Sequence, residues 1–93
     1  MPSKVNASHI LVKTEEEARE ISYDVTHGKS FEEVANEKSL CPSGKKGGNL
    51  GWFGRNQMVK EFEQACFDAK KGEIIGPVKT QFGYHIIKIE DVS

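Results

Sequence analysis

Residues 5–13, VNASHILVK, alternate in side-chain character. Val5, Ala7, His9 and Leu11 share one face of an extended segment, and Ile10 and Val12 share the other. Apolar residues on both faces predict a central strand, covered on each side. Thr14-Glu15-Glu16-Glu17 then forms a capping box with an acidic first turn, which predicts a helix start at Thr14. Ala18, Ile21 and Val25 give that helix a single apolar stripe, and Gly28 stops it. Ser30-Phe31-Glu32-Glu33 opens a second helix that buries Phe31, Val34 and Ala35 and ends near Ser39.

The stretch 40–58, LCPSGKKGGNLGWFGRNQM, breaks the helical pattern. Cys41-Pro42 prevents continuation. Five of the nine glycines lie here, so the segment is expected to be a tight, shaped loop, with backbone free to approach a ligand closely. Within it, residues 43–48 read as an exposed turn, and 49–54 as a short strand with a bulge or close backbone approach at Gly51.

Residues 58–69 predict the third helix, with Phe62, Ala65, Cys66 and Ala69 on its stripe. Cys66 is therefore expected to be a small buried hydrophobe. Lys70-Lys71 and Gly72 end the helix. Residues 73–79 predict a strand, and Pro77 requires either that it lie at a sheet edge or that the proline be its first residue. TQFG is a turn. Residues 84–90 predict the last strand, with His85, Ile87 and Ile89 on one face and Tyr84, Ile86 and Lys88 on the other; 91–93 read as a short tail. The order is β-α-α-loop-β-α-β-β, an α+β arrangement without internal repeat or linker.

Composition narrows the classes. Ninety-three residues predict one domain spanning 1–93. With 37% apolar and 29% charged residues, the chain fits a folded protein rather than a disordered one. A formal net charge of −1 argues against a nucleic-acid binder. No apolar run approaches the roughly 18 residues of a membrane span, and residues 1–13 lack a signal-peptide core, so a cytoplasmic protein is expected. Cys41 and Cys66 form no CxxC pair and are read as free thiols.

Candidate chemistry centres on His9 and His85, one in the first strand and one in the last. If those strands pair, the imidazoles can meet, with Cys41 brought beside them by the loop. A lone strand histidine is more often a hydrogen-bonded core residue than a functional one. A Cys-His nucleophile pair lacks a local protease signature. Zinc held by His9, His85 and Cys41 lacks the close-spaced ligand pairs of structural sites. A phosphate cradle at SGKKGG lacks the P-loop spacing, so a solvated turn is the better reading. Composition and spacing do not choose among these and a further option, an apolar pocket that eases rotation about an amide.

Four blocks of the sequence are more specific. ASHILVK at 7–13, LCPSGKKGGNLGWFGRNQM at 40–58, EFEQACF at 61–67 and GPVKTQFGYHIIKI at 76–89 together resemble the parvulin family of peptidyl-prolyl cis/trans isomerases. The resemblance is strongest to minimal, stand-alone parvulins and covers essentially the whole chain. It implies a parvulin (FKBP-like) fold, a four-stranded antiparallel sheet surrounded by helices, with no cofactor or metal. It implies a monomer acting on proline-containing segments of client proteins. By the same resemblance His9, His85, Cys41 and Thr80 match catalytic positions. Leu50, Met58, Phe62 and Phe82 match the wall around the substrate proline, and Gln57 is placed to contact peptide backbone. A non-catalytic, chaperone-like proline-binding module on the same fold is the alternative.

The chain departs from the family pattern at three places. Asn56 stands where glycine is common, and it tolerates a positive φ. Glu61 replaces a proline near a helix start, where an acid is also well placed. After the first strand, Lys13 leads straight into Thr14-Glu15-Glu16-Glu17, in place of the long basic loop of phosphate-directed parvulins, so no phosphate preference is expected. Lys45, Lys46, Arg55 and Lys60 read as a solvated face.

Overall fold

The fold was obtained as a computed structural model that describes residues 3–93. Strand β1 (Val5–Val12) is followed by helices α1 (Glu15–Thr26) and α2 (Phe31–Lys38), a 3-10 turn (Pro42–Lys46), β2 (Asn49–Phe53), α3 (Lys60–Asp68), β3 (Ile74–Thr80) and β4 (Gly83–Val92). The four strands form one antiparallel sheet in the order β2-β1-β4-β3. The first and last strands are thus central neighbours, and the proline-containing strand lies at an edge, as its missing N–H donor requires.

The alternation of β1 and β4 divides the interior in two. On one face Ile10, Val12 and Ile86 pack against α1 and α2 through Ala18, Ile21, Val25, Phe31, Val34 and Ala35. On the other face Val5, Ala7, Ile87 and Ile89 pack against Phe53 and the α3 residues Phe62, Cys66 and Phe67. Fully burying an Ile or Phe of this kind contributes about 1.5–3 kcal/mol. Cys66 is completely buried, and that burial pushes its thiol pKa up to about 12. Among the described residues no helix is long and apolar enough to cross a membrane.

Both predicted caps form, each in part. Thr14 Oγ1 accepts from the Glu17 amide at 3.2 Å, and Ser30 Oγ accepts from the Glu33 amide at 3.3 Å. The return contacts differ from a full box: the Thr14 hydroxyl meets the Glu17 carboxylate, and the Ser30 hydroxyl meets that of Glu32.

Three boundaries move. The segment expected as a plain turn at 43–48 is a 3-10 turn started by Pro42, whose fixed φ suits a first helical position. The third helix begins at Lys60 rather than residue 58. Asn56 sits at φ 66 and Val59 is extended, so Met58 and Val59 continue the apolar pattern without continuing the helix. The tail predicted at 91–93 is largely strand. Asp91 and Val92 pair with Asn6 and Val5, and Glu90 is the extra residue of a bulge opposite Asn6 and Ala7.

Candidate active site

Strand β2 leaves β1 early. Their pairing ends at Ser8 and Asn49, with Leu50 as a bulge residue beside Gly51. Beyond that point the glycine-rich loop takes over as the partner of β1. The His9 amide donates to the Gly48 carbonyl at 2.9 Å, and the Leu40 amide donates to the Leu11 carbonyl at 2.8 Å. Ser39 Oγ accepts from both the Leu11 amide (3.1 Å) and the Cys41 amide (3.3 Å). These bonds bring Leu40 and Cys41 alongside His9.

Gly48, at φ 85, lies so close that a Cβ there would overlap the His9 carbonyl oxygen. A Cβ on Gly76, at φ 128, would stand 2.6 Å from the His85 carbonyl oxygen. The close approach expected of the loop glycines is thus seen at Gly48 toward the backbone of β1, and at Gly44 and Gly47 toward α2. Gly51 does mark a bulge, but nothing lies within 4 Å of where its Cβ would be, so no close approach occurs there.

His9 and His85 do meet. They sit diagonally across β1 and β4, with nearly parallel rings and Nδ1 atoms 2.9 Å apart. Each is buried, 5% and 4% exposed. Phe62 on α3 presses against both imidazoles in T-shaped contacts, at 5.5 and 5.2 Å between centroids. Thr80, at the end of β3, places Oγ1 2.7 Å from His85 Nε2, and the Phe82 amide donates to that same Oγ1 at 3.2 Å.

One proton order pairs the most groups. In it the Thr80 hydroxyl, which also accepts from the Phe82 amide, donates to His85 Nε2. His85 Nδ1–H then donates to His9 Nδ1, and the proton of His9 is left on Nε2, a buried atom with no partner. The reverse order would strand the Thr80 hydroxyl as well as His9 Nε2. Both rings are held neutral. Burial, and then the neighbouring His85, push His9 down to about 4; burial lowers His85.

Above the pair lies a cleft of about 530 Å³. Its walls include Leu50, Met58, Phe62 and Phe82, with Cys41 and Gln57 at the lining and His9 and His85 at the floor. Thr80 is not in the lining; it meets the cleft only through its contact with His85. Gln57 also folds back, its Oε1 accepting from the Gly54 amide at 2.6 Å. The sequence reading missed Leu11, Leu40, Pro42 and Val59, which complete the lining. Leu11 shares the His9 face of β1, and that periodicity could have found it. Among the described residues no three His, Cys, Asp or Glu side chains gather as a metal-ligand set.

An apolar cleft over a neutral histidine pair, on an antiparallel sheet with helices on both faces, is the arrangement expected of a parvulin-type domain. Residues 6–91 match the rotamase, PPIC-type PPIase domain, and the chain belongs to that family. It is 52% identical over 89 residues to the foldase protein PrsA of Geobacillus kaustophilus, an alignment covering 95% of this chain and 32% of the relative. The chain thus spans about a third of the length of that curated relative. The crystal structure of the peptidylprolyl isomerase PrsA from Bacillus anthracis superposes with a TM-score of 0.96 at 44% identity, covering 99% of this chain and 43% of that one. The archaeal CsPin of Cenarcheaum symbiosum superposes with a TM-score of 0.86, also at 44% identity, covering 98% of this chain and 95% of that one.

Proposed function

We propose that this chain accelerates cis/trans isomerisation of Xaa-Pro bonds in polypeptides, without a covalent intermediate. The observation that carries the reading is the apolar cleft directly over the neutral His9–His85 pair. A prolyl amide has a rotation barrier of about 18–20 kcal/mol, reflecting its partial double bond. A thousandfold acceleration removes only about 4 kcal/mol of it. Twisting the amide localises a lone pair on the proline nitrogen and reduces charge separation. A pocket that grips the ring among Leu50, Met58, Phe62 and Phe82, away from water, favours that less polar, twisted state over the planar one.

In this reading His9, His85 and Thr80 form a fixed, uncharged floor that shapes the pocket. Cys41 tunes polarity near the substrate carbonyl, and Gln57 meets peptide backbone. The acidic turn that follows β1 gives no clamp for phosphate. The substrates are proline-containing segments of client proteins, and assistance to folding is the expected use.

We also read residues 1–93 as one domain that works as a monomer without cofactor. Two cores sharing one sheet support the single domain. We place the protein in the cytoplasm, where Cys41 and Cys66 would stay reduced; fractionation of the native protein showing it outside the cytoplasm would reverse that assignment.

A second reading is favoured by the cleft rim, where Leu40 and Phe82 are 55% and 60% exposed. Such a rim suits a module that holds proline segments without turning them over. Exchange NMR on Xaa-Pro peptides of varied Xaa separates the two. Isomerase activity gives accelerated cis–trans exchange on at least some peptides. Binding without acceleration on any of them leaves the holding module.

A further inference from the structure

On the wall of the cleft, Met58 packs against the α3 core, but the 55–57 turn that leads into it has no buried side chain of its own. Arg55, Asn56 and Gln57 are exposed, and Asn56 adopts φ 66, a conformation uncommon outside glycine. Such a turn needs specific polar contacts to stay in one shape. They converge on one side chain of α3, Glu63. One carboxylate oxygen accepts from the Asn56 amide, and the other lies 3.5 Å from the Arg55 guanidinium. That guanidinium in turn lies over the Phe67 ring, 4.4 Å from its centroid, one helical turn beyond Glu63.

The Glu63 side chain is only 13% exposed and does not line the cleft. Its helical neighbour Phe62 does, and touches both histidines. A single turn of α3 therefore fixes the floor packing through Phe62 and the position of the Met58 wall through Glu63. We propose that Glu63 is a positioning residue for substrate binding: its carboxylate clamps the 55–57 turn so that Gln57 and Met58 stand at the right distance from Phe62 to hold a proline ring. The proposal rests on the prolyl isomerase reading for its substrate. A peptide binding assay tests it separately from catalysis.

The experiment compares the intact chain with Glu63→Ala, Glu63→Gln and Arg55→Ala, using an Xaa-Pro peptide. Peptide affinity is read from titration of the Met58 methyl NMR signal, and KM and kcat from exchange kinetics. Glu63→Ala is expected to raise Kd and KM about tenfold with kcat changed less than about twofold, because the wall is misplaced while the floor is intact. It should also shift the Met58 methyl signal of the free protein. Glu63→Gln keeps an oxygen for the Asn56 amide and should lose only about threefold in Kd, as should Arg55→Ala. Unchanged Kd and KM in Glu63→Ala, or a loss confined to kcat or to thermal stability, overturns the proposal. A wild-type chain that binds peptide but accelerates none overturns the isomerase reading alone, and the Kd series still decides the role of Glu63.

Discussion

Thr80 Oγ1 lies 2.7 Å from His85 Nε2 while it accepts the Phe82 amide, so the order that pairs the most groups sends its proton to the imidazole. In that order a threonine at the end of an edge strand matches the tautomer of a histidine in the sheet centre.

Thr80→Val removes that proton and leaves both His85 Nε2 and the Phe82 amide short of a partner. Leaving buried polar groups unpaired costs about 1–3 kcal/mol. The expected result is a loss of that size in urea unfolding, together with a drop of about tenfold in kcat/KM. Thr80→Ser keeps the hydroxyl and should recover most of the activity. A valine variant with wild-type stability and rate would remove the hydroxyl from the account.

The histidine pair predicts an unusual pH dependence. In the unfolded chain a histidine titrates near 6.5. In the fold His9 is pushed down to about 4, and His85 is lowered too. Between those limits the unfolded state binds more protons, so stability must fall as pH drops from about 6.5 toward about 4. For His9 alone the loss is on the order of 3 kcal/mol. Activity should show no inflection at 6.5 and decline only at lower pH, as the buried pair takes up charge. An activity inflection near 6.5 would show that the rings titrate normally and are not sealed.

Cys41 lines the cleft but is half-buried, and its backbone amide is held by Ser39 Oγ. Cys41→Asp is expected to retain near-normal kcat/KM, within about threefold, since it keeps a small polar group at the same place. Abolished exchange in that variant, with the fold intact by circular dichroism, would point instead to covalent attack by the thiol.

Phe62 and Phe82 both border the cleft, yet they stand at opposite extremes of exposure, 3% and 60%. Phe62→Ala should cost about 3–5 kcal/mol of stability as well as activity, because the cavity opens under both histidines. Phe82→Ala should leave stability within about 0.5 kcal/mol and act only on substrate affinity. Thermal unfolding alongside peptide titration distinguishes the two; equal destabilisation by both variants would contradict the division into floor and rim.

A phosphoserine placed before proline should bring no gain. The connection from β1 to α1 is Lys13 and Thr14 alone, followed by three glutamates in the first turn of α1. Paired peptides with serine and phosphoserine should show equal or lower kcat/KM for the phosphorylated one. A clear preference for phosphate would mean that lysines elsewhere on the rim reach the substrate.

Much of the frame is legible in the chain because it depends on period. The two faces of β1 and β4, the stripes of the helices and the edge position of the Pro77 strand all follow from local spacing. What spacing does not carry is contact over long separation. The Gly48–His9 and Leu40–Leu11 bonds make the loop a surrogate strand, and no local signal announces that. The strand extension to Val92 depends on Val5, at the other end of the sequence. The start of α3 was misread because Met58 and Val59 keep an apolar rhythm while the backbone at Asn56 turns the other way. The candidate site residues rest on family resemblance; spacing alone leaves several chemistries open. The clamp by Glu63 was invisible, since on a helical wheel it is an ordinary surface acid.

The central pairing of β1 with β4 has a topological result. Ser3 donates to the carbonyl of Ser93 at 2.7 Å, and Ser93 donates back to that of Lys4 at 3.0 Å. Entry and exit are one doorway. A longer polypeptide can therefore carry this fold as a bead on its own strand, without either histidine strand being pulled from the other. By the same logic the two ends can be fused through a short linker and the chain reopened at the exposed 27–29 turn. The permuted protein should then assemble the same histidine pair from a single continuous β4–linker–β1 hairpin.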